Sequence, residues 1–312
     1  MNLFIEGLWG VGKSKFIKSL NKTERFLNHK SIPEPIMPSA IVKKDEWYIQ
    51  AHKENLDALL ENHILERSIL SSAAFLYANN DKKNYQICNK ILKRNISKFT
   101  NGIVVYLTCN YDEYKSLKKS FSVKEQWFNK YEYFYTNILP KDFNVAVFEI
   151  PIYKDGKRRS VRELNSDINL MILNKRKAQV NVVPFFNEKT LILQRNERKG
   201  GFWQTITGGI EPTGSLSENT LREICEELNI KPTKSRLTWT GYSFAYIGSE
   251  GYMLREYVYG YRLSSKKIEL SSEHVAYDFV PTISAKKRVK WDGNKKAIQI
   301  VAKTRNKRNG RS

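Results

Sequence analysis

A chain of 312 residues with 41% hydrophobic and 12% aromatic content can bury two cores of ordinary volume, so two folded domains are expected and a disordered chain is excluded. The formal charge of +21 favours anionic partners, and no uninterrupted apolar run reaches the length of a bilayer span. No basic residue precedes the apolar stretch of Met1–Glu6, and Cys88, Cys109 and Cys225 lack metal-ligand spacing; these features predict a soluble, cytoplasmic protein with reduced thiols, no signal peptide and no zinc site.

Up to about residue 150, short apolar runs alternate with longer amphipathic stretches. Leu3–Ile5, Ile64–Leu65, Ile103–Leu107 and Val145–Ile150 are predicted buried strands of a parallel sheet in an α/β domain. Gly7-Leu8-Trp9-Gly10-Val11-Gly12-Lys13-Ser14 fits G-x-x-x-x-G-K-S between the first strand and a predicted helix over Ser14–Leu20. In such a loop Gly7, Gly10 and Gly12 let backbone amides turn around phosphate oxygens, Lys13 reaches the outer phosphates, and the Ser14 hydroxyl binds magnesium; ATP and Mg²⁺ follow as ligands. Glu34 lies between Pro33 and Pro35, Gln50 follows Trp47-Tyr48-Ile49, and Glu66-Arg67-Ser68 ends the next apolar run. Taken singly, Glu34 could be a loop charge, Gln50 a surface residue and Arg67 an ion-pair partner of Glu66.

The polar, basic stretch Tyr153–Ser160 has no apolar period and is expected to be a linker, with boundaries at 1–152, 153–165, 166–300 and 301–312. Beyond it, Ala178–Phe186 and Thr190–Leu193 predict a hairpin, followed by a glycine-rich turn, a helix over Ser217–Leu228 and further strands, an α+β pattern. On that helix Glu223, Glu226 and Glu227 stand at i, i+3 and i+4 and share one face, where their mutual repulsion calls for Mg²⁺ or Mn²⁺; a solvated acidic face is the alternative. From Lys286 to Arg311, eleven basic residues face the single acid Asp292. This end is expected to be a solvated, partly disordered tail, or a contact for RNA, DNA or an acidic partner.

Together the glycine loop, Glu34-Pro35, Gln50 and Glu66-Arg67-Ser68 resemble the deoxynucleoside kinase family. That likeness implies a P-loop three-layer fold, Glu34 as base toward a sugar 5′-hydroxyl, Gln50 on the nucleobase and Arg67 at the transferring phosphoryl group. Where the family carries two arginines four apart, Lys115 and Lys119 stand here; lysine lacks the two-pronged guanidinium contact, so slow transfer or binding alone is also open. From Gly208 to Ile230 the chain resembles the Nudix signature, with Gly214 at the first Glu position and Asn229 at the late Gly. Phe202–Thr207, Ser272–Tyr277 and Trp291–Ala297 extend the likeness to the dihydroneopterin triphosphate diphosphatase branch over about residues 175 to 300. It implies an α/β/α sandwich in which Glu226 and Glu227 bind metal, Glu223 binds metal or orients water, Glu273 completes the shell or acts as base, and Trp203 walls a purine or pterin ring unless it is a core aromatic. The expectation is a bifunctional enzyme acting on small nucleosides and nucleotides, with a homodimer compatible. A nucleotide-sensing regulator and a Nudix enzyme guided to RNA 5′ ends by the basic tail are the alternatives.

Overall fold

Apolar runs and amphipathic stretches fold into a mixed α/β protein whose structure, a computed structural model, describes residues 1–117, 122–174, 178–211, 214–249 and 251–308. The chain divides into two compact units, Met1–Lys177 with Tyr246–Leu254, and Ala178–Ala245 with Arg255–Ser312.

In the first unit the elements run β1 (Leu3–Glu6), α1 (Lys13–Leu20), β2 (Lys30–Ile32), α2 (Lys44–Asp57), β3 (His63–Glu66), α3 (Ile69–Ala78), α4 (Lys82–Arg94), α5 (Ile96–Thr100), β4 (Ile103–Thr108), α6 (Tyr111–Lys115), α7 (Glu125–Tyr133), α8 (Leu139–Phe143), β5 (Val147–Pro151), β6 (Tyr153–Lys154), β7 (Lys157–Arg158) and α9 (Val161–Leu173). The four predicted strands are present as β1, β3, β4 and β5, and β2 is added at the edge. Its three residues are exposed or half-buried, so it carries no apolar run to read. The sheet order is β2-β3-β1-β4-β5 with every pairing parallel. Chain direction across the sheet reverses between β1 and β4, which opens a crevice outside the carboxyl ends of the strands, where open α/β sheets bind ligands.

The stretch expected as a linker forms the β6–β7 hairpin and the start of α9. Asp155 and Gly156 turn the hairpin with φ of 51° and 72°, and Ser160 with Glu163 forms a capping box at the start of α9. Strands of two residues leave no periodicity, which is why this segment looks unstructured in the sequence.

A carboxyl group is enclosed among the apolar side chains of this unit. Glu6, at the end of β1, is 0% exposed and accepts hydrogen bonds from Ser68 Oγ (2.7 Å), Ser71 Oγ (2.5 Å) and Tyr135 OH (3.0 Å). Burial pushes its carboxyl above the usual range, while the three hydroxyls and the Arg67 guanidinium pull it back.

The second unit runs β8 (Gln179–Phe186), β9 (Lys189–Arg195), β10 (Trp203–Gln204), β11 (Ile206–Gly209), α10 (Leu216–Leu228), β12 (Leu237–Ile247), β13 (Met253–Arg262), β14 (His274–Pro281), α11 (Thr282–Arg288) and α12 (Asp292–Arg308). β8 and β9 form the expected hairpin, paired through Phe185↔Thr190 and Phe186↔Lys189. β8 also pairs antiparallel with β11 and parallel with β13, so the central strand anchors the glycine turn at its amino-terminal end. The basic carboxy-terminal segment, expected to be partly disordered, is instead helical to Arg308. Ala297, Ile298 and Val301 form an apolar stripe on α12, buried with Val183, Ile192 and Val258. Among the described residues no helix is long and apolar enough to cross a membrane.

Replacing Glu6 by Ala would strand three buried hydroxyl donors. It should destabilise the protein by about 2–4 kcal/mol, with Glu6→Gln costing less because its amide oxygen still accepts. Urea unfolding checks this, and an unchanged midpoint for Glu6→Ala would remove the network from the stability of the unit.

Candidate functional site

The Gly7–Ser14 loop leaves β1 and enters α1. Gly7 sits at φ 137° with Leu107 O only 2.8 Å from where a Cβ would lie, so neither the backbone angle nor the space accepts a side chain. Lys13 is buried and folds back onto the loop, donating to Gly7 O (3.1 Å) and Leu8 O (2.9 Å). Burial lowers its pKa to about 7, and nearby Arg67 adds to the shift against the pull of Glu34, Glu66 and Glu6. Ser14 Oγ donates to Glu66 Oε1 at 2.5 Å. With Gly10 and Gly12 the loop lines a cleft of about 760 Å³ that also holds Glu34, Glu66, Arg67 and Arg158.

Arg67 pairs with Glu34, not with its neighbour Glu66: its Nη1 donates to Glu34 Oε1 at 2.7 Å, and its guanidinium lies 4.4 Å from the Trp9 ring centroid. This aim depends on an unusual backbone, with Arg67 at φ 61° and its amide held by Ile5 O. The second oxygen of Glu34 accepts no hydrogen bond among the described residues. Trp9, Glu34 and Arg67 also line a second pocket of about 170 Å³, walled by Tyr48, His52, Phe75 and Tyr131. Gln50 is not among its lining residues; it is exposed and donates to Glu54 at 2.7 Å on its own helix.

Lys115 is likewise outside the cleft, exposed and paired with Asp112 at 2.9 Å, and Lys119 lies outside the described residues. The cleft takes a guanidinium from an unexpected source. Arg158, at the end of the β6–β7 hairpin, reaches Gly10 O (3.3 Å) and Val11 O (3.4 Å) and caps the loop. The only sequence signal for it was the basic run Lys157-Arg158-Arg159.

In the second unit the glycine turn and α10 lock together. Arg222 donates to Gly209 O (2.7 Å), Glu223 Oε1 (2.8 Å) and Glu226 Oε2 (2.8 Å), and Asn219 Oδ1 accepts from the Glu211 amide (2.9 Å). A Cβ on Gly208 would lie 1.9 Å from the Glu223 carboxyl carbon, so only glycine leaves room for that acid. Gly214, where the signature expects Glu, has φ 86° just before the Ser215–Glu218 capping box, a conformation glycine adopts without strain. Asn229 ends α10 in the left-handed region.

Glu223, Glu226 and Glu227 do share the helix face, but the protein itself compensates each. Arg222 bridges the first two. Glu227 Oε2 accepts from Ser271 Oγ at 2.6 Å and lies 2.8 Å from His274 Nδ1. Burial pushes Glu223 up to about 7 against the pull of Arg222. Burial opposes the Glu227 charge too, but His274, Ser271 and Arg195 outweigh it and hold this carboxyl below its usual range. Among the described residues no three acids, histidines or cysteines converge into a preformed metal cage. Each of the three carboxylates nonetheless keeps one oxygen without a hydrogen bond among the described residues, a hard donor set suited to Mg²⁺ or Mn²⁺.

Glu273 is held on both oxygens, by Arg195 (2.6 Å) and Lys199 (2.5 Å), so a role as base requires one of these pairs to open. Trp203 is partly buried against the α11–α12 core with Arg288 4.0 Å from its ring centroid. The sequence reading also missed a buried polar chain, Asn294–Thr205–Asn181–Glu256, with links of 2.7, 2.8 and 2.6 Å. Asn294 sits on α12, Asn181 on β8 and Glu256 on β13, with Thr205 between β10 and β11, and no spacing connects them.

Comparison with known proteins bears on the second unit. Residues 175–300 match the family model of the NUDIX domain. Among solved structures, the Escherichia coli dihydroneopterin triphosphate pyrophosphohydrolase is 25% identical, with 40% of this chain and 94% of that one covered and a TM-score of 0.36. A C. elegans Ap4A hydrolase (18%, 40% and 95%, 0.34) and the NUDIX domain of Shewanella oneidensis NrtR, solved with ADP-ribose (17%, 43% and 88%, 0.35), are also similar. No curated protein matches. The acidic helix, its glycine turn and the family match lead to one conclusion: residues 175–300 are a Nudix domain.

Proposed function

We propose that the protein is a bifunctional enzyme of nucleotide metabolism whose carboxy-terminal domain hydrolyses a nucleoside or pterin triphosphate within its phosphate chain. The observation that carries this reading is the Glu223, Glu226, Glu227 face, latched by Arg222 to the turn at Gly208–Gly209 inside a Nudix domain. A divalent cation bound by the free oxygens of these acids would polarise the pyrophosphate and activate water. Arg222 keeps two of the acids aligned, and Ser271 with His274 keeps Glu227 ionised as a ligand. Water adds to phosphorus as the bond to the bridging oxygen breaks, giving pyrophosphate and a monophosphate, or phosphate and a diphosphate.

For the amino-terminal unit we infer ATP-dependent phosphorylation of a nucleoside hydroxyl. Its support is the meeting of two pockets at Glu34, Arg67 and Trp9: one lined by the Gly7–Ser14 loop, the other by aromatic rings. The acceptor oxygen forms a bond to the γ-phosphorus as the bond to the β,γ-bridging oxygen breaks, and the hydroxyl proton passes to the free oxygen of Glu34. Arg67 and Arg158 supply the planar cations that Lys115, turned to Asp112, does not.

Glu226→Gln and Glu227→Gln should each lower Mg²⁺-dependent triphosphate hydrolysis by about 100-fold or more, since disturbing even an outer partner of a metal ligand costs 10–100-fold. The fold should persist, and chelation should abolish wild-type turnover. Near-normal hydrolysis by both variants in a phosphate-release assay would leave the acidic face as solvated surface.

Lys13→Ala should abolish phosphoryl transfer and leave triphosphate hydrolysis near normal. With its pKa at about 7, Lys13 is mostly neutral at pH 8 in the free protein, and a triphosphate beside it favours the charged form. ATP binding at pH 8 should therefore take up a proton, and uptake should vanish in Lys13→Ala. Calorimetry in two buffers of different ionisation enthalpy measures this; equal heats in both buffers would detach Lys13 from the phosphates.

A further inference from the structure

The pocket beside Glu34 has aromatic walls suited to a flat ring, with Lys44, Asp45 and Arg67 also in its lining. Trp9, Tyr48, Phe75 and Tyr131 line it, and at about 170 Å³ it is far smaller than the adjoining cleft. Aromatic walls favour stacking and exclude water from whatever polar edge the occupant carries. That edge then needs a hydrogen-bond partner, because a buried polar group left unpaired is costly.

His52 is the polar ring in this wall that is incompletely satisfied. It is 3% exposed, its Nδ1 lies 2.8 Å from Ser72 Oγ, and its Nε2 is buried with no hydrogen-bond partner among the described residues. Burial, reinforced by Arg67, lowers its pKa to about 3, so the imidazole is neutral at physiological pH. A neutral imidazole has one donor and one acceptor nitrogen. If Nδ1 donates to Ser72, Nε2 accepts; if Ser72 donates to Nδ1, Nε2 carries the proton and donates. Ser72 can therefore set which kind of edge His52 reads.

We propose that, in this pocket, where the nucleoside reading puts the base, His52, oriented by Ser72, is the residue that hydrogen-bonds the base edge and determines which base is accepted. Gln50, the amide expected in this role, is turned toward Glu54 instead. The inference rests on the reading of the adjoining cleft as a nucleoside-phosphorylating site, since that reading supplies the hydroxyl that must reach Glu34.

The test is equilibrium binding of the four deoxynucleosides and four ribonucleosides to the full chain without ATP, followed by calorimetry or tryptophan fluorescence up to about 1 mM, the upper end of ordinary enzyme affinities. At least one should bind. His52→Ala should weaken it by about tenfold or more, the loss expected for one buried hydrogen bond, and Ser72→Ala should change the ranking among bases. Because His52→Ala could unfold the unit, the wild-type chain provides a second readout: the ¹⁵N signal of the His52 imidazole should shift when the nucleoside binds. Binding that leaves this signal unmoved, binding lost in Gln50→Ala but not in His52→Ala, or no binding by any of the eight nucleosides would each overturn the proposal. Binding that depends on His52 but leads to no phosphoryl transfer with ATP would sink the kinase reading alone.

Discussion

A carboxylate enclosed under the glycine loop organises the first unit. A carboxyl group buried in an apolar floor needs hydrogen-bond partners, and Ser68, Ser71 and Tyr135 supply them to Glu6 from the residues after β3 and from the segment following α7. Fixing Ser68 also fixes its neighbour. Arg67 is held at a left-handed backbone angle with its amide on Ile5 O, and its guanidinium is thereby directed to Glu34 and Trp9 instead of to solvent. Strain of this kind costs about 1–3 kcal/mol and persists where the surroundings over-determine it. The Glu6 network is what over-determines it here.

The Nudix domain solves the same problem with the charges reversed in role. Three acids on one helix face would repel, and Arg222 neutralises two of them while tying the helix to the turn at Gly209. Glu223 can come so close to that turn because residue 208 has no side chain. Position and chemistry are thus one constraint: the glycine that lets the acid approach the turn also forces its burial, and the burial raises its pKa.

Much of this was legible in the sequence, for identifiable reasons. Strands β1, β3, β4 and β5 are apolar runs bounded by polar residues, and the loop glycines stand at spacings that few other structures need. The edge strand β2 was not legible because its residues are polar and largely exposed. Residue types at the sites were readable but their partners were not: Arg67 lies beside Glu66 in the chain and pairs with Glu34 because of one positive φ. Helix α2 was hard to read for another reason. Its buried positions, Ile49, His52 and Leu56, mix polar and apolar types, so no hydrophobic stripe marked which face turns inward, and nothing in the spacing placed Gln50 on the exposed one. Arg158 was hidden in a hairpin too short to have a period.

On the proposed reading the two candidate sites would meet the same chemical group with opposite electrostatics. In the first unit phosphate would meet the cations Arg67 and Arg158, and a Lys13 that gains its charge as phosphate arrives, with Glu34 and Glu66 limiting their mutual repulsion. In the Nudix domain phosphate would meet a wall of carboxylates, which repels it unless cations intervene. On the proposed reading the first arrangement would hold a nucleotide with one cation supplied along with it, whereas the second would hold a triphosphate only once its acids are neutralised. Arg222 already neutralises part of that wall, and a single guanidinium cannot satisfy three carboxylates at once. The free oxygens that remain on Glu223, Glu226 and Glu227 are therefore the feature on which the hydrolytic reading depends, and free cation concentration is the variable that would separate the two halves in their response to the same nucleotide pool.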